Sequence, residues 1–241
     1  MKFITYFVLA TGFLLMVSAC NNPSGNAVTN GADSLNPDEK PSYYENGKLH
    51  YIVEYHDGKA NGRVREYYPD GKLYMQGTFK NDHRHGKITH YFKNGKPFSE
   101  AWFVDGKKDS IELKYNQFGR LIAKIPFKDD EMQPGLEEYN ADGSLVTYNE
   151  KIVINEIDLT ATQRKFIFKV SLSPSVNDVK YYASTNDEPD KRMKLKISDG
   201  AGVLEIPAAG GFQLKKILFE AEYKTKMGNK RIISKIYSKR H

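Results

Sequence analysis

The sequence predicts an all-β protein: an antiparallel β-hairpin repeat meander followed by a small β-sandwich. Two observations predict it. Gly47, Gly71, Gly95, Gly119 and Gly143 recur every 24 residues, and a fixed period in this range marks a repeat architecture. From Lys151 the period stops, and short runs of alternating apolar and polar residues take over, which is the pattern of half-buried strands.

The N-terminal segment comes first in the chain. Lys2 precedes an uncharged apolar run from Phe3 to Ala19, the form of an export signal and marginal in length for a transmembrane helix. The run closes in Leu15-Met16-Val17-Ser18-Ala19-Cys20, and Cys20 is the single cysteine of the chain. This resembles the lipobox of bacterial lipoproteins, which implies a signal peptide over residues 1–19 and lipidation of Cys20. Small residues ahead of the cysteine give a peptidase access to the bond, and the thiol accepts the diacylglycerol. With no second thiol, an internal disulfide is excluded. Each buried methylene contributes about 0.8 kcal/mol, so several acyl chains anchor stably. Asn21, not Asp, follows the cysteine. By resemblance to Gram-negative sorting rules, this implies a lipid-anchored protein of the outer membrane, expected to face the periplasm, with the cell surface as the alternative. Residues 20–42, rich in Asn, Pro, Ser and Gly, read as the lipidated cysteine and a flexible tether.

Residues 43–149 hold the repeats. Tyr43, Tyr67, Tyr91, Tyr115 and Tyr139 stand four positions ahead of the glycines. Each unit has two turn signals. The first is Asn46-Gly47, Asp70-Gly71, Asn94-Gly95 and Asp142-Gly143, expected to form type I′ turns. The second, eleven residues on, is Asp57-Gly58, Asn81-Asp82, Asp105-Gly106 and Asp129-Asp130. Strands of about six to nine residues fit between them. Apolar positions recur in register: Tyr55, Phe79, Phe103 and Phe127; then His50, Tyr74, Phe98, Ile122 and Val146; then Val64, Ile88 and Leu136. These are expected to pack unit upon unit. The strips Tyr43-Tyr44 and Tyr67-Tyr68, with Tyr91, are the candidate binding residues.

The pieces Tyr67-Tyr68-Pro69-Asp70-Gly71-Lys72-Leu73 and His85-Gly86-Lys87 resemble the MORN-variant repeat. The resemblance implies a β-hairpin array. Many bacterial members carry an antitoxin label of the YwqK type, and others are envelope lipoproteins. Later units depart from the pattern: Phe118 stands at the turn Asn/Asp position, Ser110 and Pro134 replace the glycines matching Gly62 and Gly86, and Pro97 replaces a leucine.

Residues 150–241 are expected to form a second domain. Seven strand-like runs fall at 151–158, 165–173, 179–185, 193–198, 202–209, 215–226 and 230–238. Phe166, Phe168, Val170 and Leu172 alternate with polar residues, as do Ile217, Phe219, Ala221 and Tyr223. Seven short strands in this length predict an immunoglobulin-like or fibronectin-like sandwich. Residues 151–241 carry 18 Lys+Arg against 10 Asp+Glu, whereas residues 21–150 carry 17 against 20. The basic excess admits a solvated strand face or a surface for membrane lipid or acidic glycans.

No motif for chemistry is found: no Gly-x-Ser-x-Gly elbow, Walker loop or His-Glu-x-x-His. His83 and His85 sit in a polar turn that holds Lys59-Ala60-Asn61 and Lys107-Lys108-Asp109 in other units, and zinc needs three or four convergent ligands. No catalytic residue, metal or cofactor is therefore expected. The expected function is a non-catalytic protein-binding or scaffold module held at the membrane by its N-terminal lipid. Its partner would be an envelope protein, homodimerisation through sheet edges is an option, and nucleic acid is not expected for an exported protein. The alternative is an antitoxin or immunity protein that neutralises a secreted or neighbouring toxin.

Overall fold

The computed structural model describes residues 38–185, 188–208 and 216–238, so the expected signal peptide, Cys20 and the expected tether up to residue 37 lie outside the described residues. The repeat region and the C-terminal region belong to one compact unit, Asn36–His241.

The repeats form one antiparallel sheet. Its strands are β1 (Glu39–Tyr43), β2 (Leu49–His56), β3 (Lys59–Tyr67), β4 (Leu73–Lys80), β5 (His83–Tyr91), β6 (Pro97–Val104), β7 (Lys107–Lys108), β8 (Ser110–Tyr115), β9 (Leu121–Lys128), β10 (Glu131–Met132) and β11 (Glu137–Glu138). The path β1-β2-β3-β4-β5-β6-β8-β9-β10 follows chain order, with β7 on β6 and β11 on β9, so the meander is observed. β1 begins at Glu39 and pairs with β2; residues 39–42, read as tether, are therefore sheet.

The turn types correct the sequence reading. In the first turns only the glycines take positive φ, between +77° and +90°. The Gly47 amide donates to the Tyr44 carbonyl and the Tyr44 amide to that of Lys48, a pattern repeated at Tyr68, Phe92, Asn116 and Asn140. These are type I turns closed by a glycine bulge, not type I′. The Asn or Asp before the glycine keeps negative φ, and its side-chain oxygen accepts from the amide two residues on, as Asn46 Oδ1 does from Lys48. Type I′ geometry appears at the second turns, where both residues have positive φ: Asp57 and Gly58, Asn81 and Asp82, Asp105 and Gly106, Asp129 and Asp130.

Register divides the sheet into two faces. Val53 pairs with Val64 and Val64 with Gly77; Ile88 pairs with Ala101 and Glu112 with Ile125. This core face buries Val53, Val64, Ile88, Ala101, Phe103, Ile125 and Leu136. Gly77 is required here, because a Cβ would lie 2.2 Å from Ile88 Cδ1. A single sheet buries such rings by laying long cationic side chains over them. The Arg84 guanidinium sits 4.3 Å from the Phe103 ring centroid and Lys108 Nζ 4.7 Å from that of Phe127.

The C-terminal region has eight strands, one more than the sequence suggests: β12 (Lys151–Leu159), β13 (Lys165–Ser173), β14 (Lys180–Thr185), β15 (Glu188–Lys194), β16 (Lys196–Ser198), β17 (Ala201–Pro207), β18 (Ile217–Lys224) and β19 (Lys230–Tyr237). The run expected at 193–198 divides at buried Leu195, where the chain passes from one sheet to the other. The sheets are β12-β13-β17-β16 and β15-β14-β18-β19, the immunoglobulin-like sandwich order with one added strand. Phe168 and Phe219, both wholly buried, meet between the sheets with centroids 5.8 Å apart. A single helical turn, Thr160–Gln163, links β12 to β13.

The sandwich is hitched to the last repeat through Glu138, a carboxylate with no exposed surface. It accepts hydrogen bonds from Tyr148, from Thr225 Oγ1 at 2.9 Å and from Asn229 Nδ2 at 2.5 Å. Thr225 and Asn229 flank the β18–β19 turn, and Lys114 Nζ reaches Asn229 Oδ1 at 3.1 Å. A buried carboxylate is tolerable only when hydrogen-bonded in this way.

Candidate functional site

The tyrosines singled out in the sequence separate into two groups. Tyr44 and Tyr68 are half-buried and act as rungs between units: each hydroxyl donates at 2.7 Å to a carbonyl of the next unit, Tyr67 and Tyr91 respectively. Each ring also packs on the residue six positions later, Tyr44 stacking on His50 and Tyr68 meeting Tyr74 edge-on. Burial raises the Tyr44 and Tyr68 hydroxyl pKa values, with Glu66 adding to the rise at Tyr44. These two side chains stack the array. Tyr43 is exposed at 59%, whereas Tyr67 and Tyr91 are half-buried. Gly47, Gly71, Gly95, Gly119 and Gly143 all close first turns.

Tyr91 belongs to the second, polar face. There the ladder runs Ile52–Arg65–Gln76–Thr89–Glu100–Leu113–Lys124–Glu137 across adjacent strands. Tyrosines bridge it at equivalent positions. Gln76 Nε2 donates to the Tyr91 hydroxyl at 2.5 Å, and the Tyr115 hydroxyl donates to Glu100 Oε2 at 3.1 Å. Lys124 lies over the Tyr139 ring, 5.4 Å from its centroid. Burial and the Glu100 hydrogen bond raise the Tyr115 hydroxyl pKa. Hydrogen bonding to Tyr139 and Glu137 holds Lys124 above its usual range, and hydrogen bonds from Tyr139 and Lys124 lower Glu137.

This face also gathers residues other than the tyrosines. Arg63, Arg65, Gln76, Thr78, Lys87 and Tyr91 line a groove of about 480 Å³. Beside it, Trp102 and Val104 continue along β6 from Glu100, and Ile111 precedes Leu113 on β8, opposite Pro126. Trp102 is 40%, Val104 51% and Ile111 42% exposed. Lys87 ties groove to strip: its Nζ is 2.6 Å from Glu100 Oε1 and 5.5 Å from the Trp102 ring centroid. The signal was in the sequence, because Glu54, Thr78, Trp102 and Pro126 share one phase of the 24-residue period. The tryptophan of the chain thus stands where earlier units carry polar residues.

His83 and His85 do not converge with other ligands; among the described residues no group of three or more His, Cys, Asp or Glu side chains could hold a metal ion. His90 lies on the core face between aromatic rings, 5.4 Å from Tyr74 and 5.6 Å from Phe98. Its Nδ1 is 3.3 Å from Ser99 Oγ. Burial pushes the imidazole pKa below its usual value, although Glu66 and Glu112 pull it up.

No curated protein matches the chain. The family described as MORN repeat variant matches residues 41–57, 60–81 and 84–104, the stretch from β1 to the end of β6. The matched stretches hold the whole lining of the groove and, of the exposed strip, Trp102 and Val104.

Proposed function

We propose that this chain is a non-catalytic binding protein of the cell envelope, anchored through lipidated Cys20, that holds a protein partner on the polar face of its repeat array. One observation carries the reading: Trp102, Val104 and Ile111 are exposed together beside a groove with charged and hydrogen-bonding walls. Interfaces concentrate their affinity in such aromatic anchors set within a polar surround. The opposite face is taken up by internal packing, so it offers less for a partner to hold. The family's general use of these repeats for binding agrees with this assignment.

The test is in-cell cross-linking of the full chain against a Trp102→Glu/Ile111→Glu variant, with partners identified by mass spectrometry. A protein captured by the native chain and lost from the variant supports the reading; an unchanged partner set overturns it. The partner's identity separates a scaffold from an immunity protein, since a toxin would be held by the same face. Lipid anchoring is checked separately: a labelled fatty acid should be incorporated into the native chain and not into Cys20→Ala.

A further inference from the structure

The outer face of the sheet β12-β13-β17-β16 has a composition unlike the rest of the molecule. Register places on it Ile157 opposite Ile167 and Asn155 opposite Lys169. Ile167 in turn lies opposite Glu205, and Lys169 opposite Val203, while Val203 also lies opposite Lys196. The result is a flat surface of aliphatic side chains interspersed with lysines. Ile157 is 37% exposed on it, with Ile167 and Val203 half-buried beside it. Lys169, Lys194 and Lys196 line a shallow groove of about 770 Å³ beside them. The acidic side chain in that groove, Glu205, is held by Lys165 at 2.9 Å. The acids of β12, Glu156 and Asp158, alternate to the other face, opposite Phe168 and Phe166.

We infer that this face docks on an anionic phospholipid surface, with the lysines among the phosphates and Ile157 and Ile167 at the acyl boundary. Three features favour a bilayer over a protein. The cations on the face are all lysines, point charges suited to mobile phosphates, whereas planar bidentate recognition favours arginine. The face lacks the Trp, Tyr and Arg anchors that dominate protein interfaces. Its charge is of one sign once the Lys165–Glu205 pair is set aside, as attraction to anionic headgroups requires. Nor is it occupied internally, since the repeat array meets the sandwich through the β18–β19 turn of the other sheet. The inference is independent of the repeat-face reading: that face can fail while this one holds.

The single cysteine gives a direct test. Full-length Cys20→Ser chains carrying Ile157→Cys, or Ile236→Cys on the far edge strand β19, are labelled with a polarity-sensitive fluorophore. They are then mixed with vesicles of phosphatidylcholine alone or with 30% phosphatidylglycerol. Both labelled positions are solvent-facing, so the core is untouched. The N-terminal apolar run brings every chain to the vesicles, and only the position of the label reports this face. The expected result is a blue shift at position 157 with the anionic vesicles alone, and none at position 236. Lys169→Glu/Lys196→Glu should weaken it at least about tenfold, as each lysine contributes near a membrane. Equal shifts with neutral vesicles, no shift at 157, or a shift that survives lysine reversal would each overturn the inference, as would a response to acidic polysaccharide in place of vesicles.

Discussion

Ser110 is the residue at which the repeat pattern is most visibly strained. It takes φ +97°, where the equivalent positions of earlier units are Gly62 at +140° and Gly86 at +69°. A side chain in that region costs of order 1–3 kcal/mol. Ser110→Gly should therefore raise stability, by about 0.5–1 kcal/mol once the flexibility of glycine is counted, measured as a higher urea midpoint at unchanged slope. At Pro134 the array solves the same problem by placing Gly135, φ +110°, one position later. His90 sets a pH dependence. Because its folded pKa is lowered, the unfolded chain binds more protons as pH falls through about 6.5, and stability declines with it. His90→Gln should flatten the fall in melting temperature between pH 7.5 and 5.5 relative to the native chain. These effects depend on burial and φ, which no residue identity displays, although the departures at 110 and 134 were plain against the period.

At the scale of elements, the first turns are the joints of the array. Tyr44 and Tyr68 donate across units; where Phe92 lacks a hydroxyl, Asn94 Nδ2 reaches the Gln117 carbonyl at 2.8 Å instead. The second turns stack likewise, with Asp82 Oδ1 accepting from the Ala60 amide and Asp130 Oδ1 from the Lys108 amide, at 2.8 and 2.6 Å. Tyr68→Phe keeps the ring contact with Tyr74 and removes one such bond, so it should cost about 1 kcal/mol. Hydrogen exchange should place the loss at β3–β6 and leave the sandwich unchanged. The meander itself was legible because the turns are spaced by a fixed period and the strands between them can pair only with their neighbours. The turn types were not, because Asn-Gly serves both a type I′ hairpin and a type I turn with a glycine bulge. Which one forms depends on whether two or three residues lie outside the ladder, a matter of register. Nor does the period, which places Tyr44 and Tyr68 at equivalent sites, show that the next unit takes up their hydroxyls.

On the scale of the whole molecule, Glu138 couples two architectures. Its three donors come from Tyr148 and from the β18–β19 turn 87 and 91 residues away, a separation over which sequence pattern carries no information. Glu138→Ala strands those donors in a buried site and should destabilise the junction by roughly 2–4 kcal/mol. Calorimetry should then resolve two transitions in place of one, the array melting apart from the sandwich. The sandwich was readable from alternation along β13 and β18, whereas the crossing at Leu195 was hidden inside one apolar run. A binding face on the array and a lysine-rich face on the sandwich would let the protein hold a partner at an envelope membrane. Partner binding by the array is decided by a photoreactive residue placed at Ile111 in the full chain, in cells, with a second chain carrying it at Ile236. A discrete protein adduct is expected from position 111 that position 236 does not give. No adduct at 111, or the same adducts from both positions, would contradict it.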